Sequence, residues 1–130
     1  MILVDTSAWI DYFRGLDVAH TDLLDRELSQ NRIATGDLIL AEFLQGFREE
    51  DAYQEAKGLM DTLEYFDMVG HEIAVASAQN YRLLRKDGIT VRKTIDVMIA
   101  TFCIANDFEL LHNDRDFDHI QRKLRLRVAT

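Results

Sequence analysis

Carboxylates embedded in apolar runs set the strongest constraint on how this chain folds. Asp5 closes the run Ile2-Leu3-Val4, and Glu42 separates Leu38-Ile39-Leu40-Ala41 from Phe43-Leu44. Asp96 lies within Ile95-Asp96-Val97-Met98-Ile99-Ala100. An ionised carboxylate in apolar surroundings is unfavourable unless something compensates it. A bound divalent cation is the natural compensator, because hard cations take oxygen ligands. The acidic stretch Asn113-Asp114-Arg115-Asp116-Phe117 follows another apolar run, Phe108-Glu109-Leu110-Leu111. A fold that gathers these groups makes a magnesium or manganese site.

The hydrophobic pattern supplies such a fold. Ile2-Leu3-Val4, Ile33-Ala34-Thr35, Tyr65 to Val69, Phe108 to Leu111 and Leu126-Arg127-Val128 read as short strands. Runs that are apolar on both faces suit a buried parallel sheet. Between them, helices are expected from Thr6 or Ser7 (as the cap) to Gly15, His20 to Gln30, Asp37 to about Arg48 and Glu50 to Leu63. Further helices are expected over Glu72 to Lys86, Thr94 to Asn106 and Asp116 to Leu124. The Thr94 helix is apolar on nearly every side and should be central. The alternation predicts an α/β fold with a mostly parallel sheet, and the 130 residues read as one domain, 1–130. In an open α/β sheet, ligands bind beyond the carboxyl ends of the strands. Asp5 and Asp114 each follow a strand and belong at that edge. Glu42 and Asp96 are expected in the first half of their helices, within reach of it.

Composition narrows the function classes. The net charge of -8 argues against a general nucleic-acid coat protein, though not against an enzyme acting on a nucleic acid. The single cysteine, Cys103, makes no internal disulfide and suits a reducing cytoplasm. No apolar run approaches the roughly 20 residues that span a bilayer, and no basic segment precedes the first apolar residues. The four histidines lack zinc-ligand spacing, no glycine-rich phosphate loop is present, and Ser7 lacks a histidine–acid relay. Arg82, Arg85, Lys86, Arg92 and Lys93 surround the start of the Asp96 helix and are candidates to track an RNA backbone. Arg122, Lys123, Arg125 and Arg127 form a second basic group, suited to RNA or to an acidic partner segment.

Four elements together resemble the PIN-domain ribonucleases. Asp5-Thr6-Ser7-Ala8-Trp9-Ile10 is similar to the family's opening Asp-Thr-Ser-x-hydrophobic pattern, and Leu40-Ala41-Glu42-Phe43-Leu44-Gln45-Gly46 to its second acidic motif. Thr94 to Ala100 resembles the third, and Asn113 to Phe117 the fourth, an Asp-x-Asp-Phe element. Order and length resemble the VapC toxins of toxin–antitoxin pairs, over essentially the whole chain. The resemblance implies a PIN-like fold with a five-stranded, mostly parallel sheet between helices, and a Mg²⁺- or Mn²⁺-dependent endoribonuclease. It implies Asp5, Glu42, Asp96 and Asp114 as catalytic metal-binding carboxylates, with Asp116 contacting metal through water or placing a second ion. Thr6 and Ser7 would orient Asp5 or a bound water. It further implies a small neutralising antitoxin and a homodimer. His112 departs from the threonine common before the last motif.

Two other classes remain. A catalytically silent PIN-like module binding RNA or protein would not need the complete acidic set. A receiver-like signalling domain would need a phosphoacceptor aspartate ending a middle strand and a lysine after a late strand, and neither is clearly placed.

Overall fold

The computed structural model describes residues 1–130. Four parallel strands form one sheet: β1 (Ile2–Val4), β2 (Ile33–Gly36), β3 (Glu64–Phe66) and β4 (Glu109–Leu111), in the order β3-β2-β1-β4. Each crossover is helical. Helices α1 (Thr6–Phe13) and α2 (Ala19–Leu28) join β1 to β2. Helices α3 (Asp37–Leu44) and α4 (Glu50–Met60) join β2 to β3. Helices α5 (Gly70–Lys86) and α6 (Thr94–Asn106) join β3 to β4, and α7 (Arg115–Leu124) follows. The central strands are buried along their whole length, which is why their sequences are apolar without alternation. Edge strand β3 exposes Glu64 and Tyr65 instead.

Strand order reverses between β1 and β4, because β2 and β3 extend to one side of β1 and β4 lies on the other. Chains leaving β1 and β4 in opposite directions open a crevice at their carboxyl ends. Asp5 and the segment His112–Asp114 emerge there, stitched together by the Asp5 amide donating to the Leu111 carbonyl at 2.9 Å.

Several boundaries differ from the sequence reading, some because a main-chain group took a local turn and one because it found a distant partner. The expected fifth strand is reduced to one parallel bridge, Leu110 to Val128, flanked by Leu110 N–H to Arg127 O and Ala129 N–H to Leu110 O. Its pairing is confined because Arg125, just upstream, is left-handed (φ 60°) where it ends α7. β3 stops at Phe66 rather than Val69, since the Met68 amide donates to Asp37 Oδ1. Phe108 is absent from β4 because its amide caps α6 at the Cys103 carbonyl. Helix α3 ends at Leu44, not Arg48, in tight turns from Gly46 N–H to Phe43 O and Phe47 N–H to Leu44 O. Helix α4 ends at Met60, three residues before the expected Leu63, in the turns from Thr62 N–H to Leu59 O and Leu63 N–H to Met60 O.

Trp9 is fully buried, with Tyr12, Phe13 and Phe43 around its ring. It belongs to the core. Gly36 closes the sheet for a different reason. Its φ of -162° is ordinary extended backbone, but a Cβ there would sit 2.5 Å from Met68 Cγ and 2.7 Å from the Phe66 carbonyl oxygen. The methionine could move aside, whereas the β3 backbone could not without breaking its pairing. Gly36→Ala is expected to destabilise the protein by about 1–3 kcal/mol. Urea denaturation checks this: the midpoint should fall, and an unchanged midpoint would mean that β3 shifts freely.

Candidate metal centre

Asp5 is placed by the strand that ends before it and the helix that starts after it. It, rather than Thr6 or Ser7, is the N-cap of α1, correcting the expected cap. A carboxylate at that position satisfies helix N–H groups that have no partner within the helix. Its Oδ2 accepts from the Ser7 amide at 3.0 Å and the Ser7 hydroxyl at 2.6 Å. Its Oδ1 is buried and has no hydrogen-bond partner. The Thr6 hydroxyl is also buried without a partner and does not bond Asp5.

Asp96 lies in the first turn of α6 and is 1% exposed. Its Oδ2 is the second buried carboxylate oxygen at this edge without a partner. Asp114 is the N-cap of α7, with Oδ1 accepting from the Asp116 amide at 2.9 Å. Asp96, Asp114 and Asp116 each present an oxygen, and these lie within 4.8 Å of one another. Asp116 therefore stands in the closest-packed group, not at its margin. Asp5 and Glu42 lie outside that triad, so the expected set of Asp5, Glu42, Asp96 and Asp114 does not meet within one such distance. Glu42 is in the last turn of α3, not the first half, because the helix is shorter than expected.

Lys93 links the outlying acid to the triad. Its Nζ is 3.6 Å from Glu42 Oε2 and 3.8 Å from Asp96 Oδ1. Arg92 Nε donates to Asp116 Oδ2 at 3.2 Å. Two of the five cations expected on an RNA track thus face the carboxylates, drawn there by concentrated negative charge. Arg82, Arg85 and Lys86 remain exposed on the last turns of α5 and pair with none of these acids.

Electrostatics follow from burial and crowding. Burial is the main force raising the Asp96 pKa to about 7, against the pull of Lys93, with Asp5, Asp114 and Glu42 adding repulsion. Burial likewise raises the Asp5 carboxyl, although Ser7 opposes it. Burial draws the Lys93 ammonium down, but Asp96, Glu42, Asp114 and Asp5 together outweigh it and raise its pKa. His112 takes the place of the expected threonine. Burial lowers its pKa, and its Nδ1 accepts from the Asp114 amide at 3.1 Å.

A divalent cation fits this donor set. Two buried carboxylate oxygens without partners, beside three more acids, are the arrangement a hard cation stabilises and a metal-free protein tolerates poorly. Sequence reading missed a partly buried polar network beside it, in which Asp11 is buried and Asn113 exposed. Asp11 Oδ2 accepts from Asn113 Nδ2 at 2.8 Å and pairs with His20 Nε2 at 2.7 Å. The signal was present: Asp11 interrupts Trp9-Ile10 and Tyr12-Phe13, just as Glu42 and Asp96 interrupt their runs.

Known proteins share this frame. The profile of the PIN domain matches residues 2–123. VapC ribonuclease Mb1587 of Mycobacterium bovis is 34% identical over 132 aligned positions, covering 100% of this chain and 98% of that protein. Ribonuclease VapC11 of Mycobacterium tuberculosis matches to the same extent. Among solved structures, VapBC2 from Rickettsia felis bound to a promoter DNA fragment superposes with a TM-score of 0.79 at 19% identity, covering 99% of this chain and 98% of that one. Mycobacterium tuberculosis VapC20, a sarcin-ricin loop cleaving toxin, gives a TM-score of 0.66 at 16% identity, covering 91% and 93%. The chain, with its acidic crevice between β1 and β4, belongs to the PIN-domain family and within it to the VapC ribonucleases.

Proposed function

We propose that this ribonuclease is an endonuclease that hydrolyses RNA phosphodiester bonds with Mg²⁺ or Mn²⁺ held by Asp96, Asp114 and Asp116, with Asp5 and Glu42 flanking. The observation that carries the reading is the pair of buried, unpartnered oxygens, Asp5 Oδ1 and Asp96 Oδ2, beside the acidic triad. A bound cation would polarise a phosphate oxygen and make water acidic enough to attack at neutral pH. The chain's own groups prepare that chemistry. Ser7 holds Asp5 by two hydrogen bonds, the Asp116 amide orients Asp114, and Lys93 and Arg92 offset part of the carboxylate repulsion.

Arg82, Arg85 and Lys86, with Gln79 and Leu83, line a surface concavity of about 500 Å³. We assign the three cations to RNA phosphates. A neutralising antitoxin, a homodimer and action in the cytoplasm belong to the same proposal. The related structure from Klebsiella pneumoniae is a toxin–antitoxin complex, with a TM-score of 0.68 at 18% identity. A groove of about 290 Å³ lined by Ile10, Phe13, Phe43 and Phe47 opens beside Glu42, so an antitoxin segment seated there would lie next to the carboxylates. No helix is long and apolar enough to cross a membrane.

Asp96→Asn should lower RNA cleavage by about 100-fold or more, and chelation should do the same to the native protein. Retained cleavage by the variant would remove Asp96 from the chemistry. No cleavage by the native protein with either ion would favour the silent binding module.

The same variant has a stability signature. The Asp96 carboxyl titrates at 3.8 in an unperturbed chain and at about 7 in the fold, so folding disfavours its ionised form. The penalty is absent below both values, grows as pH rises between them, and is complete above the higher. Without metal, Asp96→Asn should therefore melt above the native protein at pH 7.5, by on the order of 1–3 kcal/mol of stability, and converge with it near pH 4. Thermal melts across that range check it; a pH-independent difference would contradict the burial argument.

Replacing Arg82, Arg85 and Lys86 together by glutamine should raise KM for RNA about 5- to 50-fold and flatten its salt dependence, with kcat held. Steady-state kinetics at several ionic strengths decide this. An unchanged KM would separate those cations from the substrate.

A further inference from the structure

One buried carboxylate has no part in the chemistry above. Asp11 in α1 is 8% exposed and takes two donors on a single oxygen, Asn113 Nδ2 and His20 Nε2. With a carboxylate as partner, Nε2 is the ring nitrogen that carries the hydrogen. Helix α1 gains no local hydrogen bond from this acid, since the side chain reaches across to α2 and to a loop 102 residues away in sequence.

That loop residue is the joint between the two halves of the acidic crevice. The main-chain N–H of Asn113 donates to Ser7 Oγ at 2.9 Å, and Ser7 Oγ donates to Asp5 Oδ2 at 2.6 Å. The residue after Asn113 is Asp114, the N-cap that orients itself through the Asp116 amide. A continuous chain of bonds therefore runs from His20 through Asp11 to Asn113. There it divides, one arm ending on Asp5 and the other, through the peptide bond, on Asp114. Both contacts are short, 2.8 Å to Asn113 Nδ2 and 2.7 Å to His20 Nε2, so Asp11 anchors the loop to α1 and α2.

We propose that Asp11, steadied by His20, is a positioning residue for the nuclease reaction: by gripping Asn113 it fixes the spacing between Asp5 on the β1 side and Asp114 with Asp116 on the β4 side. The inference rests on the metal-nuclease reading of the site. Groups that orient ligands from outside the coordination set typically govern affinity or activity by 10- to 100-fold, and a displacement near 1 Å has consequences of that size.

The test uses the full chain carrying Asp11→Ala, Asn113→Ala, both together, His20→Ala or His20→Gln. Mn²⁺ binding is followed by calorimetry, metal-free folding by circular dichroism and melting, and RNA cleavage as kcat and KM separately. Asp11→Ala should weaken Mn²⁺ binding and lower kcat by about 10- to 100-fold each, with KM nearly constant. The double variant should be no worse than the single ones, because the two residues act as one unit. His20→Gln, which keeps an N–H donor, should restore most of what His20→Ala loses. A lower metal-free melting temperature with Mn²⁺ affinity and kcat within about twofold of native would overturn the proposal and leave Asp11 a structural clasp. Should Asp11→Ala fail to fold, the His20 and Asn113 variants carry the same readouts and decide between the same two outcomes. Native protein that binds no Mn²⁺ would instead overturn the underlying metal reading, a result distinct from binding that Asp11 does not influence.

Discussion

Carboxylates forced together at one end of the sheet repel one another, and the fold is built around that repulsion. Asp96 is nearly inaccessible and shares its surroundings with Asp5, Asp114 and Glu42, and burial with that crowding keeps its proton bound to about pH 7. Hydrophobic association of the sheet and helices must hold this arrangement against its own charge. Lys93 and Arg92 relieve part of the strain, but two carboxylate oxygens remain without any partner. A protein selected for stability alone would have apolar residues here, since those pack well and bury cheaply. The acids make sense as a site whose missing counter-charge arrives with a ligand.

The architecture explains why the crevice lies where it does. With the order β3-β2-β1-β4, the chain leaves neighbouring strands β1 and β4 towards different sides of the sheet. Helix starts face the opening: α1 begins after Asp5, α6 just before Asp96 and α7 after Asp114. Asp5 and Asp114 cap their helices with one oxygen and leave the other free for a second task. Capping and ligation thus draw on the same residues, which places the site at helix starts along the carboxyl edge of the sheet.

The acidic site was readable in the sequence because a carboxylate inside an apolar run is visible without a structure. Asp5, Glu42 and Asp96 stand out that way, Asp114 by its place after a strand, and Asp116 by the resemblance of Asn113 to Phe117 to the family's last motif. The parallel sheet was equally legible from uniformly apolar strands. Much of what escaped depended on side chains or turns that the local pattern does not specify. The ends of β3 and β4 were set by the Met68 amide turning to Asp37 and the Phe108 amide turning to Cys103. Lys93 resembles any solvated residue before a helix until the fold brings Glu42 within 3.6 Å. Asp11 met the same criterion as Glu42 and Asp96, but nothing in its local sequence shows what it bonds. Its partners stand 9 and 102 positions away, beyond the reach of local pattern.

Anomalous diffraction from crystals equilibrated with Mn²⁺ would locate the ion without reference to activity. A peak bounded by Asp96, Asp114 and Asp116 is expected, with the Lys93 ammonium displaced from Asp96. Manganese found only at exposed acids elsewhere, with Lys93 still paired to Asp96, would contradict the metal assignment.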